Sequence, residues 1–156
     1  MCIVIDTNVL SCVFSLDSCY HKEYQSVYMW IINGEGFIVC GGTTYWNEIK
    51  KARKYLGVLA ELKKKGKLKD IKQEVVDNQQ TMVKGILPSD CDDSHLIAIF
   101  RASGCRLLCS NDHRVDIYIK NKKYYLKKQR LPKIYRNKKH AHLLCKKNIV
   151  TLQNVS

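Results

Sequence analysis

Three short apolar runs constrain what this chain can fold into more than any other feature. Cys2-Ile3-Val4-Ile5, Phe37-Ile38-Val39-Cys40 and the Leu107-Leu108-Cys109 that follows Arg106 are short and show no polar alternation. Strands of that kind are buried on both faces, as in a parallel sheet covered by helices. The stretches between them carry helical signals. Over residues 21–32, Tyr24, Val27, Tyr28 and Ile31 fall on one face, and Asn33-Gly34-Glu35-Gly36 breaks the pattern. Gly41-Gly42 turns the chain, Thr43 or Thr44 caps a long helix over residues 43–65, and Gly66 ends it. Helices are also expected from near Val9, after the capping Asp6-Thr7-Asn8, and over residues 70–84, 91–102 and 112–121. Lys133-Ile134-Tyr135 and residues 148–150 read as further short strands. Strand and helix alternate, so the expected fold is α/β: a three-layer α/β/α sandwich with a central parallel sheet.

A chain of 156 residues is the size of one domain and can bury a real core. The expected organisation is a domain over residues 1–125 with a basic C-terminal extension, residues 126–156, packed on it. The basic character is localised. Of the net charge of +13, nearly all lies in residues 113–156, where 13 Lys or Arg face a single acid, Asp116. Such a block attracts polyanions through long-range steering and counterion release. Lys122, Lys123, Lys127, Lys128, Arg130, Arg136, Lys138 and Lys139 are the candidate nucleic-acid contacts. Tyr118, Tyr124, Tyr125 and Tyr135 are interleaved with them, which suggests stacking on unpaired bases. A solubilising face or a dock for an acidic protein is the competing reading.

No apolar run approaches a membrane span, so no membrane partner is expected. Met1-Cys2-Ile3-Val4-Ile5-Asp6 lacks the basic region of a signal peptide. The expected location is the cytoplasm, with the eight cysteines reduced and acting as small hydrophobes. His140-x-His142-x-x-Cys145 has metal-ligand spacing but lacks a fourth ligand nearby, and scattered core and surface cysteines are the preferred reading.

Ligands of open α/β sheets bind outside the carboxyl ends of the strands. Asp6 directly follows the first apolar run and Asp112 follows the last by two residues, so both are expected at that edge. Glu48 lies near the start of the helix after Gly41-Gly42, and Asp92 and Asp93 open the helix after Pro88. Acids at helix starts are also simple caps. Gathering several carboxylates is costly: at ~4 Å and an effective dielectric of 20 each pair repels by about 4 kcal/mol. A cation among them removes that cost, and all-oxygen ligands suit Mg²⁺ or Mn²⁺. The chemistry implied is metal-assisted hydrolysis of a phosphate ester.

These residues form a recognisable series. Ile3-Val4-Ile5-Asp6-Thr7-Asn8-Val9-Leu10 resembles the opening of PIN-domain nucleases, an apolar strand followed by Asp-Thr/Ser-Asn. Glu48 resembles that family's second acid, Asp92-Asp93-Ser94-His95-Leu96-Ile97-Ala98 its third motif, and Leu107-Leu108-Cys109-Ser110-Asn111-Asp112 its fourth. Order and spacing fit from residue 2 to about residue 120. The resemblance is to ribonucleases of this family, the toxin-like members of virulence-associated protein C type included. It implies a PIN-like fold and a divalent-metal endoribonuclease in which Asp6, Glu48, Asp93 and Asp112 are both catalytic and metal-ligating. Asn8 and Ser110 would support Asp6 and Asp112. Asp93 is preferred over Asp92, because Ala98 then falls where small residues usually sit, and Asp92 assists or caps. His95 and His113 read as structural or solvent-facing. The resemblance further implies an RNA substrate, a homodimer and an acidic antitoxin partner. The alternatives are a non-catalytic RNA-binding module and a nuclease of the same fold acting on structured DNA.

Overall fold

The structure is a computed structural model that describes residues 1–148, 151, 152 and 155. Its frame is a five-stranded, all-parallel sheet: β1 (Cys2–Ile5), β2 (Phe37–Gly41), β3 (Leu68–Ile71), β4 (Leu107–Cys109) and β5 (Lys133–Tyr135), in the order β3-β2-β1-β4-β5. β1 is central, and all four of its residues are fully buried. That burial is the reason for its unbroken apolar run. The helices are α1 (Leu10–Phe14), α2 (His21–Ile32), α3 (Thr43–Lys51), α4 (Leu56–Lys64), α5 (Gln73–Lys84), α6 (Ser94–Ser103) and α7 (Asp116–Ile119). Parallel crossovers are right-handed. Helices that carry the chain outward from β1 to β3 and those that return it to β4 and β5 therefore cover opposite faces, giving the three-layer α/β/α sandwich. Among the described residues no helix is long and apolar enough to cross a membrane.

Several expectations are corrected. The helix expected over residues 70–84 starts later, because Leu68-Lys69-Asp70-Ile71 is a strand. β3 lies at the sheet edge and buries only Leu68 and Ile71, so Lys69 and Asp70 hide it from an apolar-run search. The single helix expected over residues 43–65 is two. The backbone leaves the helical region at Ala52 (φ −92°, ψ 54°), and a 3-10 turn, Arg53–Tyr55, joins α3 to α4. Neither Thr43 nor Thr44 caps α3. Gly42 occupies the cap at φ 83°, a left-handed conformation that suits glycine. The Thr43 amide instead donates to Asp77 Oδ1 on α5 at 2.8 Å. The helix expected to reach residue 121 shrinks to the four residues of α7.

The basic C-terminal segment completes the sheet. Leu107, Leu108 and Cys109 pair with Lys133, Ile134 and Tyr135. Tyr135 is fully buried and donates its hydroxyl to the Glu23 carbonyl of α2 at 2.9 Å. Asn148 lies in a 3-10 turn, and the rest of the strand expected at residues 148–150 lies outside the described residues. All eight cysteines are free.

Candidate active site

The strand order places a crevice between β1 and β4. The chain runs one way from β1 to β2 and β3, and the other way from β4 to β5. Such a switch point is where open parallel sheets bind ligands, because the two adjoining connections part there. Asp6 leaves the end of β1 with its amide still in the ladder, donating to the Cys109 carbonyl at 2.9 Å. Its carboxylate is fixed from both sides. Ser110 Oγ donates to Oδ2 at 2.8 Å, and the Asn8 amide approaches Oδ1 at 3.4 Å. Asn8 thus supports Asp6 through its backbone. Ser110, fully buried, also accepts from the Asp112 amide at 3.1 Å and so ties the two acids together.

Glu48 comes from α3. Thr7 Oγ1 donates to its Oε2 at 2.8 Å, linking that helix to the turn after β1. Asp93 stands at the N-cap position of α6 without making a side-chain cap bond, so capping does not explain it. The four carboxylates share one electrostatic environment. Burial raises the Asp6 carboxyl above the usual range, and the charges of Glu48 and Asp112 add to the rise. Asp93 is raised by burial and then by Asp6, with Asp112 and Glu48 contributing. Asp92 is exposed, and with Asp90, Asp93, His113, Arg114, Ile117 and Tyr118 it lines a cleft of about 310 Å³.

Asp112 differs from the other acids. Arg114 grips it with a fork, Nε at 3.1 Å from both oxygens and Nη2 at 2.6 Å from Oδ2, and this holds its carboxyl below the usual range. Arg114 itself is 85% exposed, so the grip is open to solvent and salt.

His95, for which the sequence left a structural and a solvent-facing role open, takes the structural one. It is not solvent-facing: it is 2% exposed, Nε2 lies 3.6 Å from Glu48 Oε2, and neither ring nitrogen completes a hydrogen bond. Burial holds the imidazole below its ordinary pKa despite the charges of Glu48 and Asp93. A buried polar group left without a partner costs about 1–3 kcal/mol. Its spacing, two residues beyond an acid at a helix start, was the available signal.

The basic segment is only partly free to bind. Lys123, Lys127, Lys128, Arg130 and Lys139 are exposed, with the Lys123 ammonium over the Tyr124 ring. Lys122 is exposed but folds onto the Leu126 and Gln129 carbonyls, and Lys138 pairs with Glu23 at 3.5 Å. Arg136 is no surface contact. It is 12% exposed, bonded to Asp116 and turned toward the carbonyl of Ser110, the residue that holds Asp6. The tyrosines are corrected as well. Tyr124, Tyr125 and Tyr135 are core residues, and Tyr118 is half-buried with its hydroxyl on Asp90. His140 accepts from the Arg136 amide and His142 stands 3.0 Å from the Lys139 carbonyl.

Among the described residues no group of three or more His, Cys, Asp or Glu side chains is arranged to hold a metal ion as it stands. The donor set nonetheless fits a hard divalent cation. All four acids offer oxygen, and Asp6 and Asp93, raised first by burial, are raised further by the charges of neighbouring acids, which a cation would relieve. In the structure Asp112 is engaged by Arg114 instead. No protein-family model matches the chain, and comparison with characterised proteins and with solved structures finds no significant match.

Proposed function

We propose that this protein is a divalent-metal-dependent endoribonuclease of PIN-domain type that hydrolyses RNA phosphodiester bonds in the cytoplasm. One observation supports the reading: Asp6, Glu48, Asp93 and Asp112 arise from four separate segments around the switch point of a parallel sheet, and Asp6 and Asp93 each feel the charges of Glu48 and Asp112. Charge repulsion opposes that arrangement unless a cation is its purpose.

On this reading the four acids hold Mg²⁺ or Mn²⁺. When bound, the ion supplies Lewis acidity toward a phosphodiester and acidifies water. The chain's own residues do the rest. Ser110 keeps Asp6 turned into the crevice, and Thr7 keeps Glu48 there. The cleft beside Asp93 admits the substrate strand, with His113 and Arg114 on its wall facing the phosphates. Arg114 exchanges Asp112 for a phosphate as the site fills. Lys127, Lys128 and Arg130 hold the backbone beyond it. Chain size and the basic surface suit the toxin of a toxin–antitoxin pair, acting as a homodimer and covered by an acidic partner.

The test is cleavage of a mixed RNA pool with Mg²⁺ or Mn²⁺ against EDTA, with structured DNA in parallel. Metal-dependent cuts in RNA support the proposal, and cuts in DNA alone transfer it to a DNA-directed nuclease. One observation favours a second reading. The Arg114 fork already neutralises Asp112, as in a non-catalytic RNA-binding module with a relic acidic site. Tight RNA binding without cutting under either metal would support that module.

A further inference from the structure

The site contains a buried group that the nuclease reading leaves without a task. His95 is the second residue of α6, and its side chain is buried against α3. Its ring stands 6.4 Å from the ring of Tyr45. Tyr45 is anchored by a 2.7 Å hydrogen bond to the Ile5 carbonyl, so one wall of the imidazole's pocket is rigid. Glu48 lies one turn further along the same helix, α3. Thr7 Oγ1 already donates to Glu48 Oε2, and His95 Nε2 approaches the same oxygen. Among the described residues Oε1 receives no hydrogen bond.

We infer that His95 is a positioning residue for Glu48: with Thr7 it fixes Oε2 from the protein side and leaves Oε1 to face the cation. The inference rests on the metal-nuclease reading above. Ligating carboxylates and imidazoles work through outer partners that fix their orientation, and among the described residues Thr7 and His95 are the side chains seen to approach the Glu48 carboxylate. An apolar side chain would fill the same volume without leaving two ring nitrogens unpaired. Filling space therefore does not account for an imidazole here. His95 touches neither the cation nor the substrate in this role. It acts through Glu48 alone.

The experiment reads Mn²⁺ binding to the full chain by calorimetry, with thermal unfolding as the check on folding. Four proteins are compared with wild type: His95→Phe, His95→Gln, His95→Asn and Asp6→Asn. His95→Phe is expected to fold with unchanged or higher Tm and to bind Mn²⁺ about tenfold more weakly. His95→Gln, whose amide nitrogen reaches the Nε2 position, is expected to recover most of the loss. His95→Asn, whose amide sits at the Nδ1 position, is not. Wild-type affinity in folded His95→Phe overturns the inference. If His95→Phe does not fold, equal Mn²⁺ affinity in the Gln and Asn variants overturns it instead. Asp6→Asn separates the two levels of failure. If wild type and Asp6→Asn both take up no Mn²⁺, the metal reading falls and His95 falls with it. If wild type binds, Asp6→Asn does not, and His95→Phe matches wild type, this inference alone is wrong.

Discussion

Asp6, Glu48, Asp93 and Asp112 come from four different segments: Asp6 and Asp112 follow strands, Asp93 opens α6, and Glu48 stands within α3. Apart from Lys133 in β5, the exposed cations described in residues 113–156 sit instead on loops, turns and 3-10 turns. The acids are held by specific bonds: Ser110 and Asn8 on Asp6, Thr7 on Glu48, Arg114 on Asp112. Among the described residues, many of the lysines make no such bonds. The difference separates two kinds of sequence signal. A carboxylate just beyond a buried strand is positioned by topology, so its location follows once the strand is recognised. A lysine in a charge-rich tail conveys only charge, and nothing in its neighbours says whether it is free.

The comparison fails first if the acids are not a working unit. Asp6→Asn is expected to lower RNA cleavage by roughly a hundredfold or more while leaving RNA affinity within about twofold. Cleavage on gels beside filter binding checks this. A parallel fall in both would mean that Asp6 supports the fold or the binding surface rather than the chemistry.

The second way to break it lies in the tail. Tyr135 and the lysines are neighbours in sequence but opposites in role. Tyr135→Ala removes a fully buried ring from β5 and is expected to cost about 3–5 kcal/mol in urea unfolding. Replacing Lys127, Lys128 and Arg130 together by Gln is expected to change stability by less than about 0.5 kcal/mol each. The same triple variant should flatten the slope of log affinity against log salt for single-stranded RNA by about 2. An unchanged slope would remove these side chains from the interface. Truncation before β5 would not serve as the test, because it takes a strand out of the sheet.

A smaller effect sharpens the description of the acids. Asp6 and Asp93 have raised carboxyls, by burial first and then by neighbouring charge. The folded state therefore binds their protons more tightly than the unfolded chain does. Such a group costs stability above its folded pKa, and the cost disappears below its unfolded value. Metal-free protein should gain stability from these two groups as pH falls from neutral into the carboxylate range. Asp112, held low by Arg114, opposes this weakly, since the exposed pair is screened. Asp6→Asn should accordingly stabilise the metal-free protein at neutral pH by about 1 kcal/mol, with the gain shrinking in acid. A loss of stability would show that Asp6 contributes more as a bonded carboxylate than it costs as a buried charge. Smallest of all, Arg114→Ala should leave Tm nearly unchanged and tighten Mn²⁺ binding a few-fold.

Much of the frame was legible in the residues. β1, β2 and β4 announced themselves as apolar runs because they are buried on both faces. β3 did not, because an edge strand tolerates Lys69 and Asp70. The break at Ala52 left no signal, since α3 and α4 share helix-forming residues across it. Tyr124, Tyr125 and Tyr135 misled because the lysines around them suggested a wet surface, while the backbone turns the rings inward. His95 carried a faint signal, its place beside Asp93, that burial turned into a contact with Glu48. What the sequence could not convey was which polar side chains the fold would seal from water.

The most direct measurement of the four-carboxylate site is Mn²⁺-dependent RNA cleavage by Asp6→Asn, Glu48→Gln, Asp93→Asn and Asp112→Asn, with Asp92→Asn as the control. All four variants should lose cleavage while folded, and Asp92→Asn, exposed on the cleft wall, should keep most of it. Loss in Asp92→Asn with activity retained in Asp93→Asn, or cleavage that persists in any of the four, would contradict the site as drawn.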